Sequence, residues 1–80
     1  MSNRKTKLVE ELTANNAINK TLYDLLYKVV NIEDVIECIL VTLKNDKNKQ
    51  KMIEFLQNGE NDHERIILRT VELNREISLL

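Results

Sequence analysis

The sequence predicts an all-α protein, and three observations support that fold class. The chain has 80 residues with no proline and a single glycine, Gly59, so residues that interrupt helices are almost absent. Apolar residues recur at every third or fourth position over most of its length. Short polar tracts separate these periodic segments. We therefore expect residues 1–80 to form one domain, a small bundle of three to four helices.

The first predicted helix covers about residues 4–30. Its apolar residues repeat over 18–29 with the spacing of a coiled coil. The same register, extended towards the N-terminus, places Asn15 and Glu11 on the apolar seam, where polar side chains do not fit. The segment 14–16 is therefore either a polar gap in one continuous or kinked helix or a junction between two helices. We favour the first, because neither glycine nor proline marks a break there.

Three further helices are predicted, over about residues 32–44, 47–57 and 62–79. Asn31 is expected to cap the first of these. Its apolar stripe is widened by Cys38 and Val41, which predicts that this helix is the central one of the bundle. We expect the thiol of Cys38 to be buried, because a lone cysteine in an apolar run usually packs as a small hydrophobe.

The ends of the last two helices are predicted from single polar residues and the glycine. Asp46 is expected to cap the helix over 47–57, and Gly59 to end it in the left-handed conformation that glycine adopts without steric cost. Asn61 is expected to cap the last helix. One side of that helix is predicted to be apolar and to face the bundle: Ile66, Ile67, Thr70, Leu73 and Ile77.

Composition excludes several classes of function. The formal net charge of −1 gives no overall attraction to nucleic acid or to acidic membranes. One cysteine and one histidine, His63, allow no intrachain disulfide and disfavour a structural zinc site. Since no acid–base pair or activated nucleophile is apparent, we expect no enzyme, cofactor, metal or small-molecule substrate.

The N-terminus lacks the pattern of a secretory signal, and the longest apolar run is too short to span a bilayer. These features predict a cytoplasmic protein. Heavy use of Lys, Asn and Ile suits an AT-rich genome, such as that of a low-GC bacterium, its phages or its plasmids.

An interface is the first functional hypothesis. A chain of this size builds a small core, and an apolar stripe as long as the one over 8–29 exceeds what the shorter helices cover. Exposed apolar strips usually mark contact surfaces. We therefore expect a helical protein–protein interaction module, an adaptor or regulator that forms a homodimer or binds another protein. The residues assigned to this interface are Leu8, Leu12, Ile18, Leu22, Tyr23, Leu25, Tyr27, Ile77, Leu79 and Leu80.

The alternative hypothesis is a small DNA-binding regulator. If a tight turn joins the helices over 32–44 and 47–57, the start of the second helix occupies the position of a recognition helix. Amide side chains there can read adenine, and lysines can contact phosphates. The turn lacks the usual glycine, and the acidic remainder of the chain opposes binding. The residues concerned are Lys44, Lys47, Asn48, Lys49, Gln50 and Lys51.

Overall fold

The computed structural model describes residues 7–59 and 62–78, and the side chains of 76–78 lie outside this description. Within it the chain forms five helices and no strand, which confirms the all-α class and corrects the predicted count of three to four. The helices are α1 (Lys7–Ala14), α2 (Ala17–Val29), α3 (Glu33–Thr42), α4 (Asp46–Gln57) and α5 (His63–Ser78).

The N-terminal segment forms two helices, so the preference for one continuous helix is wrong. Asn16 has an extended backbone, with φ −137° and ψ 106°, and its side chain accepts a hydrogen bond from the backbone N–H of Asn19. This N-cap starts a new helix without any glycine or proline. The Asn19 amide in turn donates to the carbonyl of Leu12 at 2.7 Å, which holds the end of α1 against α2.

Helices α2 and α3 each pack against three other helices: α2 contacts α1, α3 and α4, and α3 contacts α1, α2 and α5. The predicted central helix, α3, therefore shares the middle of the bundle with α2, which makes the more extensive contacts. Cys38 and Val41, which were predicted to widen the buried stripe of α3, are both exposed. The core consists of Val9, Leu22, Tyr23, Leu26, Val30, Ile36, Ile39, Leu40, Leu43, Met52, Ile53, Leu56, Ile66 and Leu73.

Asn31 ends α2 instead of starting α3. Its φ is +56°, the left-handed region that asparagine tolerates better than most residues, and it follows the C-cap Val30. Ile32 occupies the N-cap position of α3 without a side-chain hydrogen bond to the helix. The acidic residues Glu33 and Asp34 in the first turn interact favourably with the helix dipole.

The caps of α4 and α5 each lie one residue from the predicted position. Asn45, and not Asp46, caps α4 by accepting hydrogen bonds from the backbone N–H groups of two residues in its first turn. Asp62 caps α5 by accepting from the N–H of Arg65 at 2.9 Å. Asn61, the predicted cap, lies outside the described residues. Gly59 has φ +81°, which confirms the left-handed end of α4.

Among the residues that the structure describes, helix α5 buries one of its sides against the bundle. It contacts α3 and α4 through Ile66, Thr70 and Leu73, all of them buried. The Thr70 hydroxyl donates to the carbonyl of Ile66 at 2.8 Å, which satisfies its buried oxygen within the helix. The side of α5 that faces away from this contact is described below.

Candidate interaction surface

The predicted interface residues on α2 lie mostly inside the chain. Leu22 is fully buried and Tyr23 is 4% exposed, so both belong to the core and not to a surface. Leu12, Ile18 and Leu25 are partly buried and pack against that core. The reason is the break at Asn16: α1 folds back along α2 and covers part of the stripe that one long helix would have left bare.

Two predicted interface residues are on the surface. Leu8 on α1 is exposed, and so is Tyr27 on α2. They lie on two different helices. The side chains of Ile77, Leu79 and Leu80 lie outside the described residues.

Tyr23 and Tyr27 form a local pair at the edge of the core. Their rings are 5.8 Å apart and nearly perpendicular, an edge-to-face contact. The Tyr23 hydroxyl donates to Oε1 of Glu33 at 3.1 Å, which links α2 to the start of α3. Burial and this hydrogen bond raise the pKa of Tyr23 from 10.0 to about 12. The pair is therefore a structural connection between two helices.

The basic segment does not present its six residues together. Asn48 is buried, and its amide donates to the carbonyl of Leu73 at 3.1 Å, which joins α4 to α5. Lys49 is also buried, with its ammonium 4.0 Å from the carboxylate of Asp46. Lys44, Lys47 and Gln50 are exposed and Lys51 is half-buried.

The packing of α4 also differs from that of a recognition helix. It packs chiefly against α2 and α5, whereas the two helices of a helix-turn-helix pack on each other. Two of the six assigned side chains, those of Asn48 and Lys49, are buried, and the amide of Asn48 joins α4 to α5.

A larger apolar surface lies on α5, on the side that faces away from the bundle. Ile67 is 46% exposed, Leu68 57% and Val71 50%. We call these three residues the outer face of α5. Ile67 was predicted to lie on the buried side of the helix, and neither Leu68 nor Val71 was assigned to a surface. Adjacent apolar residues at 66, 67 and 68 were the available sign, because no single helical face can bury all three.

The outer face of α5 continues into an open groove beside α4. Phe55 of α4, partly buried against the core, forms its far side. Arg69 donates from Nη1 to Oε1 of Glu72 at 3.3 Å along this groove. The lining thus combines apolar and charged side chains, as contact surfaces commonly do. The groove is lined by Phe55, Glu64, Arg65, Ile67, Leu68, Arg69, Val71 and Glu72.

Other kinds of site were sought in the same residues. Over 7–59 and 62–78, no cluster of three or more His, Cys, Asp or Glu side chains is arranged to hold a metal ion. Within that same part of the chain, no helix combines the length and hydropathy needed to cross a membrane. His63 is an exposed residue in the first turn of α5.

Comparisons with protein-family models, with curated proteins and with solved structures found no match to this chain.

Proposed function

We propose that this protein is a small helical interaction module, an adaptor or regulator, that binds a protein partner through the outer face of α5. This proposal rests on the exposure of Ile67, Leu68 and Val71, three apolar side chains of one helix that are each about half exposed to solvent. Burying large apolar side chains against a partner is favourable by roughly 25 cal/mol for each Å² removed from water. An apolar helix is the natural occupant of such a groove.

Several features support this surface over the one first expected on α2. Its three apolar side chains lie within five residues of one helix, whereas Leu8 and Tyr27 belong to two different helices. Phe55 extends the apolar area across to α4. Binding here leaves the core of the chain closed, because Leu22 and Tyr23 need not be uncovered.

The test compares two polar substitutions of exposed apolar residues. Leu68→Asp with Val71→Asp disrupts the outer face of α5, and Leu8→Asp is the matched control on α1, since Leu8 is exposed to a similar degree. We expect the double variant to lose self-association, measured by light scattering from about 10 µM to about 1 mM, or to lose a partner captured by the wild-type chain.

The control variant is expected to retain either association. Circular dichroism establishes that both variants fold, so that a loss of binding is not a loss of structure. If the double variant associates as the wild type does, or if Leu8→Asp is the variant that loses association, the proposed surface is wrong.

A further inference from the structure

We propose that the occupant of this surface is α5 of a second copy of the chain, packed in antiparallel orientation. This inference rests on the proposed function, because it names the partner of the same outer face. It is carried by the placement of two charged residues at the ends of the apolar surface.

Four residues form a continuous line along α5, which we call the α5 stripe: Glu64, Leu68, Val71 and Arg75. Their spacings of four, three and four are those of a coiled-coil seam. At 3.6 residues per turn they fall within about 60° of one another around the helix. The buried residues Ile66, Thr70 and Leu73 fall on the opposite side. All four stripe residues are exposed, so the stripe faces away from the bundle.

The charges of the α5 stripe distinguish the two orientations in which copies could pair. Glu64 lies in the first turn of α5 and Arg75 in the last turn, with Leu68 and Val71 between them. In a parallel pair, each charge meets the same charge on the other copy, which is repulsive. In an antiparallel pair, a two-fold axis between Leu68 and Val71 places Glu64 opposite Arg75 of the second copy. Leu68 then meets Val71, so the stripe is complementary to itself.

The helix dipole supplies a second reason for the same two charges. An acidic residue is favourable at a helix N-terminus and a basic residue at its C-terminus. That effect accounts for the sign of each charge, but it does not require both residues to lie on the line of Leu68 and Val71. Exchanging the two residues distinguishes pairing between copies from interaction with the helix dipole. The exchanged charges are again complementary between two antiparallel copies, but each opposes the dipole of its own helix.

The size of the surface predicts a weak dimer. A standard interface buries about 800 Å² on each partner, and three half-exposed apolar side chains with their charged rim provide less than this. We expect the dissociation constant of the dimer to be micromolar or higher. The charge pairs at its edge should make the association stronger at low ionic strength.

The experiment is sedimentation velocity on the full chain from about 10 µM to about 1 mM at low salt. We expect wild type to form dimers. Glu64→Arg and Arg75→Glu should each weaken dimerisation by about tenfold, because each creates two repulsive contacts by symmetry. The exchanged variant carrying both changes should recover to within about threefold of wild type.

Glu10→Arg is the matched control. Glu10 is also exposed and in the first turn of a helix, α1, so its reversal changes the net charge and a helix N-terminus equally. It should leave the dissociation constant unchanged.

Three results overturn this inference. An exchanged variant no better than the single variants excludes the antiparallel pairing of Glu64 with Arg75. A wild-type chain that is monomeric throughout excludes a second copy as the occupant, while the proposed function stands if the outer-face double variant loses a captured partner. A dimer that survives Leu68→Asp with Val71→Asp contradicts both proposals together.

Discussion

Helices α2 and α5 both carry apolar side chains on more than one side, but they bury them to different extents. Helix α2 has α1, α3 and α4 around it, and Leu22 and Leu26 are completely buried. Within the described part of the chain, helix α5 packs chiefly against α3 and α4, and Leu68 remains 57% exposed. The burial of an apolar residue is thus decided by the number of elements around its helix, as well as by its own position on the helix.

The difference also separates stability from binding. The buried side chains of α2 stabilise the fold without any partner protein, because folding removes their apolar surface from water. Those on the outer face of α5 contribute little to folding and remain available to a partner. Three predictions test this separation, beginning with the largest expected effect.

The first prediction compares one leucine from each helix. Leu22→Ala should lower the free energy of unfolding by about 2–5 kcal/mol, because it removes buried methyl groups and leaves a cavity. Leu68→Ala should change it by less than about 0.5 kcal/mol. Urea denaturation measures both free energies of unfolding, at a protein concentration low enough to keep the chain monomeric. Equal losses from the two variants would show that Leu68 is covered within the chain.

The second prediction concerns the attachment of α5 to α4. Asn48→Ala should destabilise the fold by about 1–3 kcal/mol, because it removes a buried hydrogen bond to the carbonyl of Leu73. Gln50→Ala, an exposed change on the same helix, is the control and should cost less than about 0.5 kcal/mol. Thermal unfolding followed by circular dichroism compares the two. A stable Asn48→Ala variant would mean that α5 is held by its apolar contacts alone.

The third prediction is a pH dependence on the α2 side of the molecule. The folded protein favours the neutral phenol of Tyr23, whose pKa is raised from 10.0 to about 12. The stability contributed by this group is therefore complete below pH 10 and is lost as the pH rises through 12. Tyr23→Phe should cost about 1 kcal/mol at neutral pH, and the difference from wild type should shrink over that range.

Tyr27→Phe is the control for the loss of a tyrosine hydroxyl. Tyr27 is exposed, and its ring contact with Tyr23 and the hydrogen bond from Tyr23 to Glu33 survive the change, so this variant should lose less stability at neutral pH than Tyr23→Phe. Urea denaturation at neutral pH and at several values between 10 and 12 provides the comparison. A difference for Tyr23→Phe that stays constant across this range would contradict the raised pKa of Tyr23, which burial and the hydrogen bond to Glu33 produce.

The sequence by itself determined the fold class and much of the helix pattern. The near absence of glycine and proline and the periodic apolar residues are local properties, and they were sufficient for α3, α4 and α5 to within a few residues. Gly59 marked the end of α4 for the same reason, because its backbone freedom is intrinsic to the residue.

The break between α1 and α2 was harder to predict from the sequence. Asn15 and Asn16 were visible as a polar interruption, but an asparagine is compatible with either a gap or a cap. Its role was decided by the hydrogen bonds of Asn16 and Asn19 together with the packing of α1 on α2. Because α1 packs back along α2, Leu22 and Tyr23 of the expected interface belong to the core.

Only the tertiary structure decided which apolar surface remains open. Periodicity identifies apolar residues on a helix, but it does not show how many neighbours the helix has. Leu22 and Leu68 are the same residue type, each on an amphipathic helix, yet one is fully buried and the other more than half exposed. The physical reason is that burial is a property of the assembled elements: three helices surround α2, whereas α5 lies on one side of the bundle.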